Sequence, residues 1–155
     1  MKKQPIFLFL ALVLFMLPVA CNKEDSANVS SATTSKPQSN EMRFITPDEV
    51  KAALAGENVD DYVFLDLRKA DDYASNHVDG FISTDLTAAK EGDLANGVKV
   101  LTEALAGTDL NTKKFVLMCY SGAKYAQVGT DLLINELKVK PENVLTIKGG
   151  MKNWK

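Results

Sequence analysis

Phe115-Val116-Leu117-Met118-Cys119-Tyr120-Ser121-Gly122-Ala123-Lys124-Tyr125 runs from an apolar tetrapeptide, through a cysteine, into a glycine-bearing loop. The apolar residues predict a buried strand over Lys114–Met118. From Lys124 to Leu137 the positions Tyr125, Val128, Leu132, Leu133 and Leu137 recur at helical spacing, so the loop joins a strand to a helix. Backbone amides of such a loop, with the unpaired amides of a first helical turn, favour an anion in the concavity they form. A free thiol is only about 3% ionised near neutral pH, whereas thiols at helix N-termini or beside cations titrate at roughly 3.5–7.5. Cys119 is thereby a nucleophile by placement. The alternative is a cysteine that fills the core, as free cysteines often do. Tyr-Ser-Gly-Ala-Lys immediately after it has the composition of a turn and favours the reactive reading.

Working outward, short apolar runs near Arg43–Thr46, Tyr62–Leu67, Phe81–Ser83, Lys114–Met118 and Asn143–Ile147 alternate with helical stretches at Pro47–Ala55, Ala70–Asn76, Leu94–Leu105 and Lys124–Leu137. The alternation predicts an α/β fold with a central, mainly parallel five-stranded sheet and helices on both faces. Thr46 before Pro47, with Glu49 in the first turn, marks the start of the first helix. Ligands of open α/β sheets bind beyond the carboxyl ends of the strands, where Cys119 stands.

Three motifs carry a family resemblance over about Met42–Lys155. Asp66-Leu67-Arg68, Asp72-Tyr73 and His77-Val78-Asp79-Gly80-Phe81-Ile82 resemble the Asp-x-Arg, acidic-aromatic and Gly-His-Ile-x-Gly-Ala segments of rhodanese-like domains. Cys119 to Lys124 resembles their active loop. Gly149-Gly150-Met151-Lys152-Asn153-Trp154 is similar to the Gly-Gly-Met-x-x-Trp signature after their last strand.

The resemblance implies sulfur transfer. A sulfane sulfur passes from thiosulfate or a related donor to the family's cysteine as a persulfide, and from there to cyanide or a thiol. Cys119 matches the nucleophile, and Tyr120, Ser121, Gly122, Ala123 and Lys124 match the loop that cradles the donor, with Arg68 a further candidate for shaping the substrate pocket. No metal or other cofactor is implied. Lys124 stands where the family commonly has Arg, and Tyr125 where a small hydroxyl residue often follows. A lysine offers a point charge instead of a planar fork, which implies a donor preference or turnover of its own. The phosphatases of this fold have a loop one residue longer that ends in Arg, usually with His before the cysteine. Met118 and Tyr125 occupy those places here and argue against phosphoryl transfer. The alternatives to sulfur transfer are a non-enzymatic or redox module that binds a sulfur species or an envelope partner, and a purely structural domain.

The remaining matched residues read as scaffold. Arg68 is expected to ion-pair with an acidic neighbour such as Asp72. His77, the one histidine, stands before a Val-Asp-Gly turn and is expected to be hydrogen-bonded and structural. Asp66 reads as a loop anchor at a strand end and Trp154 as core or helix packing.

At the N-terminus, Lys2-Lys3 precedes an apolar run from Ile6 to Ala20, the pattern of a secretory leader over residues 1–20. Leu17-Pro18-Val19-Ala20-Cys21 resembles a bacterial lipobox, in which Cys21 is lipidated and becomes the first mature residue. Ordinary signal cleavage and an uncleaved anchor are the alternatives. Residues 21–41 read as a polar tether with hardly an apolar residue to bury, and residues 42–155 as one domain. Asn22 is not the aspartate that commonly retains lipoproteins at the inner membrane, so a lipid-anchored place in the cell envelope, at the outer membrane, is expected. Lys23-Glu24-Asp25 resembles the surface-export signal of some Bacteroidetes lipoproteins, though a charged tether also produces such triplets by chance. With Cys21 lipidated, Cys119 is the one remaining thiol. The chain carries 18 basic and 20 acidic side chains, and loss of Lys2 and Lys3 with the leader takes the net charge from -2 to about -4. No basic stripe suggests nucleic acid, one histidine and one free cysteine cannot build a tetrahedral metal site, and a monomer is expected.

Overall fold

The computed structural model describes residues 39–155; the leader, Cys21 and most of the tether lie outside them. Five strands, β1 (Arg43–Ile45), β2 (Tyr62–Asp66), β3 (Phe81–Ser83), β4 (Lys114–Met118) and β5 (Val144–Ile147), form one sheet in the order β1-β5-β4-β2-β3. Every pairing is parallel, with Leu65 opposite Leu117 and Leu117 opposite Thr146. The sheet is thus wholly parallel, where the sequence predicts a mainly parallel one.

The helices are α1 (Pro47–Ala55), α2 (Ala70–Ser75), α3 (Thr87–Lys90), α4 (Leu94–Ala104) and α5 (Lys124–Asp131). They cover both faces, which is why β4 reads as a continuous apolar run. Phe115 and Leu117 point to one core with Leu65, Leu101, Ala126 and Leu133, while Val116 and Met118 point to another with Val50, Phe64, Phe81 and Ile147. Each of the larger side chains among them, fully buried, contributes about 1.5–3 kcal/mol of transfer free energy. These two cores clamp β4 in the middle of the sheet and fix where the residue after it, Cys119, emerges.

Element ends differ from the sequence reading for identifiable reasons. Thr46 leaves β1 to cap α1: its hydroxyl accepts the Glu49 amide at 3.3 Å, and the Glu49 carboxylate accepts the Thr46 amide at 2.8 Å. The helix predicted to Leu137 is α-helical only to Asp131, and Leu132–Glu136 take the wider π winding, with the Leu137 amide reaching the Leu132 carbonyl at 3.1 Å. Helix α3 has no counterpart in the sequence reading. It is held instead by tertiary contacts, since Ala89 is buried and Gly97 of α4 leaves the space that a Cβ would close to 2.6 Å from the Ala89 Cβ.

Candidate active site

Cys119 is 1% exposed and lies on a cavity of about 310 Å³ lined also by Tyr120, Ser121, Ala123, Lys124, Tyr125 and, from α3, Lys90. Among the described residues it is the free cysteine. The Gly122 amide donates to its Sγ at 3.2 Å. The loop bends back on the sulfur because Gly122 takes a φ of +69°, where a Cβ would stand 2.6 Å from the Ile147 carbonyl oxygen. Among the described residues, the amides of Tyr120, Ser121 and Ala123 have no acceptor in the chain.

The carbonyls of the loop are tied to the last segment of the fold. Met151 donates its amide to the Cys119 carbonyl at 2.7 Å, and Lys152 donates to that of Tyr120 at 3.1 Å. Gly150, at φ +57°, makes this approach feasible: a Cβ there would meet the Cys119 oxygen at 2.2 Å. With these two carbonyls tied to that segment, the Gly122 amide serves the sulfur, and those of Tyr120, Ser121 and Ala123 remain as donors without an acceptor among the described residues.

Tyr120 anchors the loop on the opposite side. Its hydroxyl donates to the Asp72 carboxylate and accepts the Lys69 amide at 3.2 Å, and its ring meets that of Tyr125 edge-on at 5.3 Å. Burial, with the hydrogen bond to Asp72 and that carboxylate's charge, pushes the phenol up to about 12. Asp85 fastens α2 to α3, accepting the Ala70 amide at 3.0 Å and the Thr87 amide at 2.8 Å. Burial alone would raise its carboxyl, but the bonds from Thr87 and Ala70 and the charge of Lys69 hold it below the usual range.

Arg68 stands apart from this cavity. Its guanidinium is paired with Asp66, Nη2 to Oδ2 at 2.6 Å and Nε to Oδ1 at 2.9 Å, and also donates to the Asn76 carbonyl at 2.7 Å. Asp66, not Asp72, is therefore its partner, and Arg68 does not line the cavity as a substrate contact. Both side chains are buried, and the mutual hydrogen bonds raise the arginine further above its already high range. The Asp66 carbonyl takes the Thr84 amide at 2.8 Å, which joins this strand end to the next loop.

His77 stacks on Tyr73 at 4.2 Å, with Nδ1 3.0 Å from the Tyr73 carbonyl, as a structural histidine. Trp154 packs edge-on against Phe81, far along the second core. The structure thus brings Cys119 to Lys124 together as one loop and adds Lys90, which sequence reasoning missed. The signal available was Ala88-Ala89-Lys90, a helix-favouring stretch too short for periodicity to register.

No curated protein matches this sequence. Among solved structures, a rhodanese-like domain protein from Staphylococcus aureus is 18% identical, with 74% of this chain and 92% of that one covered and a TM-score of 0.50. An uncharacterized protein from Saccharomyces cerevisiae is 16% identical over 74% of this chain and 92% of that one, at a TM-score of 0.54. The rhodanese-like domain of an Anabaena protein is 14% identical, covering 74% of each, at 0.53. These likenesses establish the fold. The family model of the rhodanese-like domain matches residues 46–155, from the cap of α1 through the cysteine loop to the segment that clamps it, and the chain belongs to that family.

Proposed function

We propose that this protein is a sulfurtransferase in which Cys119 carries sulfane sulfur between a small anionic donor and a thiophilic acceptor. The observation that carries the reading is a recessed thiol at a cavity, with a loop amide on its sulfur and three neighbouring amides unpaired among the described residues. In the first step the Cys119 thiolate attacks the outer sulfur of thiosulfate. A Cys–S–S bond forms, the donor's S–S bond breaks, and its electron pair leaves with sulfite. In the second step cyanide or a thiolate attacks the outer sulfur, the persulfide bond breaks, and the electron pair returns to Cys119. Splitting the transfer into two displacements on one sulfur is the logic of covalent catalysis. The unpaired amides and Lys124 would hold the donor's sulfonate oxygens and then the persulfide anion.

Intact-protein mass spectrometry after thiosulfate, then cyanide, tests this. One added sulfur on wild type and none on Cys119→Ser, released as thiocyanate, is the expected result. No gain on an alkylatable thiol would overturn thiosulfate transfer and leave a binding or redox module.

The N-terminal pattern supports a second part of the proposal, attachment to the cell envelope through lipid on Cys21. Metabolic labelling with a fatty acid is expected to mark the full chain and to miss Cys21→Ser.

A further inference from the structure

Lys90 belongs to no loop motif, yet it shares the cavity of Cys119. Its position is over-determined. Helix α3 is pinned at its start by Asp85, which accepts the Thr87 amide at 2.8 Å, and at its middle by the Ala89–Gly97 approach. Lys90 closes the helix, with its amide on the Leu86 carbonyl at 2.9 Å. The Lys90 Nζ stands 5.6 Å from the centroid of the Tyr125 ring, within cation–π range, and the Tyr125 hydroxyl is 3.4 Å from Thr87 Oγ1. Tyr125 is therefore gripped by α3 from both ends and in turn presents Lys90 to the cavity. Among the described residues, the carboxylate paired with Lys90 is that of Glu91, at 3.7 Å and 66% exposed, a solvated contact too weak to cancel the charge.

We infer that Lys90 is a specificity-determining residue: a second cation, outside the cysteine loop, that binds the anionic end of the sulfur donor in the cavity it shares with Lys124. The inference rests on the sulfur-transfer reading for its chemistry, but its charge selection is measurable without transfer. A loop that carries lysine in its last position supplies one diffuse point charge. Lys90, seated on the aromatic ring that follows that lysine, adds the second charge that a dianion calls for. Tyr125 acts through Lys90 and is a positioning residue.

The test is thiosulfate binding by calorimetry in a Cys119→Ser background, where no transfer occurs, beside sulfur loading of wild type by mass spectrometry. Lys90→Gln is expected to weaken thiosulfate 3- to 10-fold, roughly the effect of one partly screened charge near a surface. Lys90→Arg is expected to stay within about 2-fold, and 0.5 M salt to erase the difference between Lys90 and Gln. Tyr125→Leu should reproduce part of the Gln effect and add little to it in the double variant, which a merely structural Lys90 would not do. Equal affinity of the Lys90 and Gln proteins at low salt, or no thiosulfate binding by Cys119→Ser with Lys90 intact, overturns the inference. Thiosulfate binding that depends on Lys90 in a protein that never gains sulfur would sink the transfer reading and leave Lys90 as an anion site.

Discussion

The backbone carbonyl of Cys119 accepts the Met151 amide at 2.7 Å, so the segment after the last strand is part of the wall of the cysteine loop. Gly150 is what lets the two backbones meet. Gly150→Ala is expected to cost about 2 kcal/mol or more in urea unfolding and to disturb Cys119 reactivity, because its Cβ would meet the Cys119 oxygen at 2.2 Å. Gly107→Ala, also at positive φ but with nothing within 4 Å, should cost only about 1 kcal/mol and leave the thiol unchanged. Equal losses at the two positions would show that close approach is not the reason.

Arg68 and Asp66 make a buried pair, and removing one partner strands the other. Arg68→Met should destabilise by about 3–5 kcal/mol, whereas Asp66→Asn with Arg68→Met should recover part of that loss. Since Arg68 does not line the cavity, thiosulfate affinity of the folded fraction should be unchanged. A large affinity loss in a fully folded Arg68 variant would restore it to the site.

Tyr120 gives an alkaline signature. Its phenol is held up to about 12 in the fold, against about 10 in an unfolded chain. The neutral form is favoured by folding, so this contribution is complete below pH 10 and is lost as pH rises through 12. Stability of wild type should fall more steeply over that window than that of Tyr120→Phe, and the 295 nm titration should lose one late-ionising tyrosine in the variant. Parallel stability curves would refute the assignment.

Asp85 predicts the opposite limb. Its carboxyl lies below the usual range, so its contribution is present above the unfolded value near 3.8 and fades as pH falls through the lower folded value. Asp85→Asn should flatten the acid side of the stability profile below pH 4, measured by urea midpoints. An unaltered acid limb would mean that the ties to Ala70 and Thr87 do not depend on its charge.

Lys138 ends the π-wound turn at φ +61°, the one non-glycine at positive φ among the described residues. Lys138→Gly should stabilise by about 0.5–1 kcal/mol by relieving the left-handed penalty, measured by urea unfolding. A loss instead would mean that the bond from Lys138 Nζ to the Asn135 carbonyl outweighs the strain.

What could be read in advance follows from how local each signal is. Strand β4 declares itself through a continuous apolar run, the helix after it through period, and the cysteine loop through contiguous residues, so the centre of the site was visible in one stretch. The boundary residues were so only in part: Thr46 was legible as the cap of α1, but it was also counted at the end of β1, and the Glu49 carboxylate on its amide decides for the cap. Lys90 escaped because a four-residue helix has too few positions to show periodicity, and because its relation to Tyr125 exists only once α3 is seated against α5. The Arg68 pairing was placed with the wrong neighbour for a similar reason. Asp66 lies in β2, which is fixed by its register against β4, and its carboxylate is buried beside the guanidinium. Asp72 on α2 is instead taken by Tyr120, a partner far away in sequence.

The recessed seat of Cys119 has a consequence for the order of encounters at the site. At 1% exposure the bare thiol presents almost nothing to a passing macromolecule. A small anion fits the cavity of about 310 Å³ that Cys119 lines, whereas the face of another protein does not, so bulk is sorted before any chemistry begins.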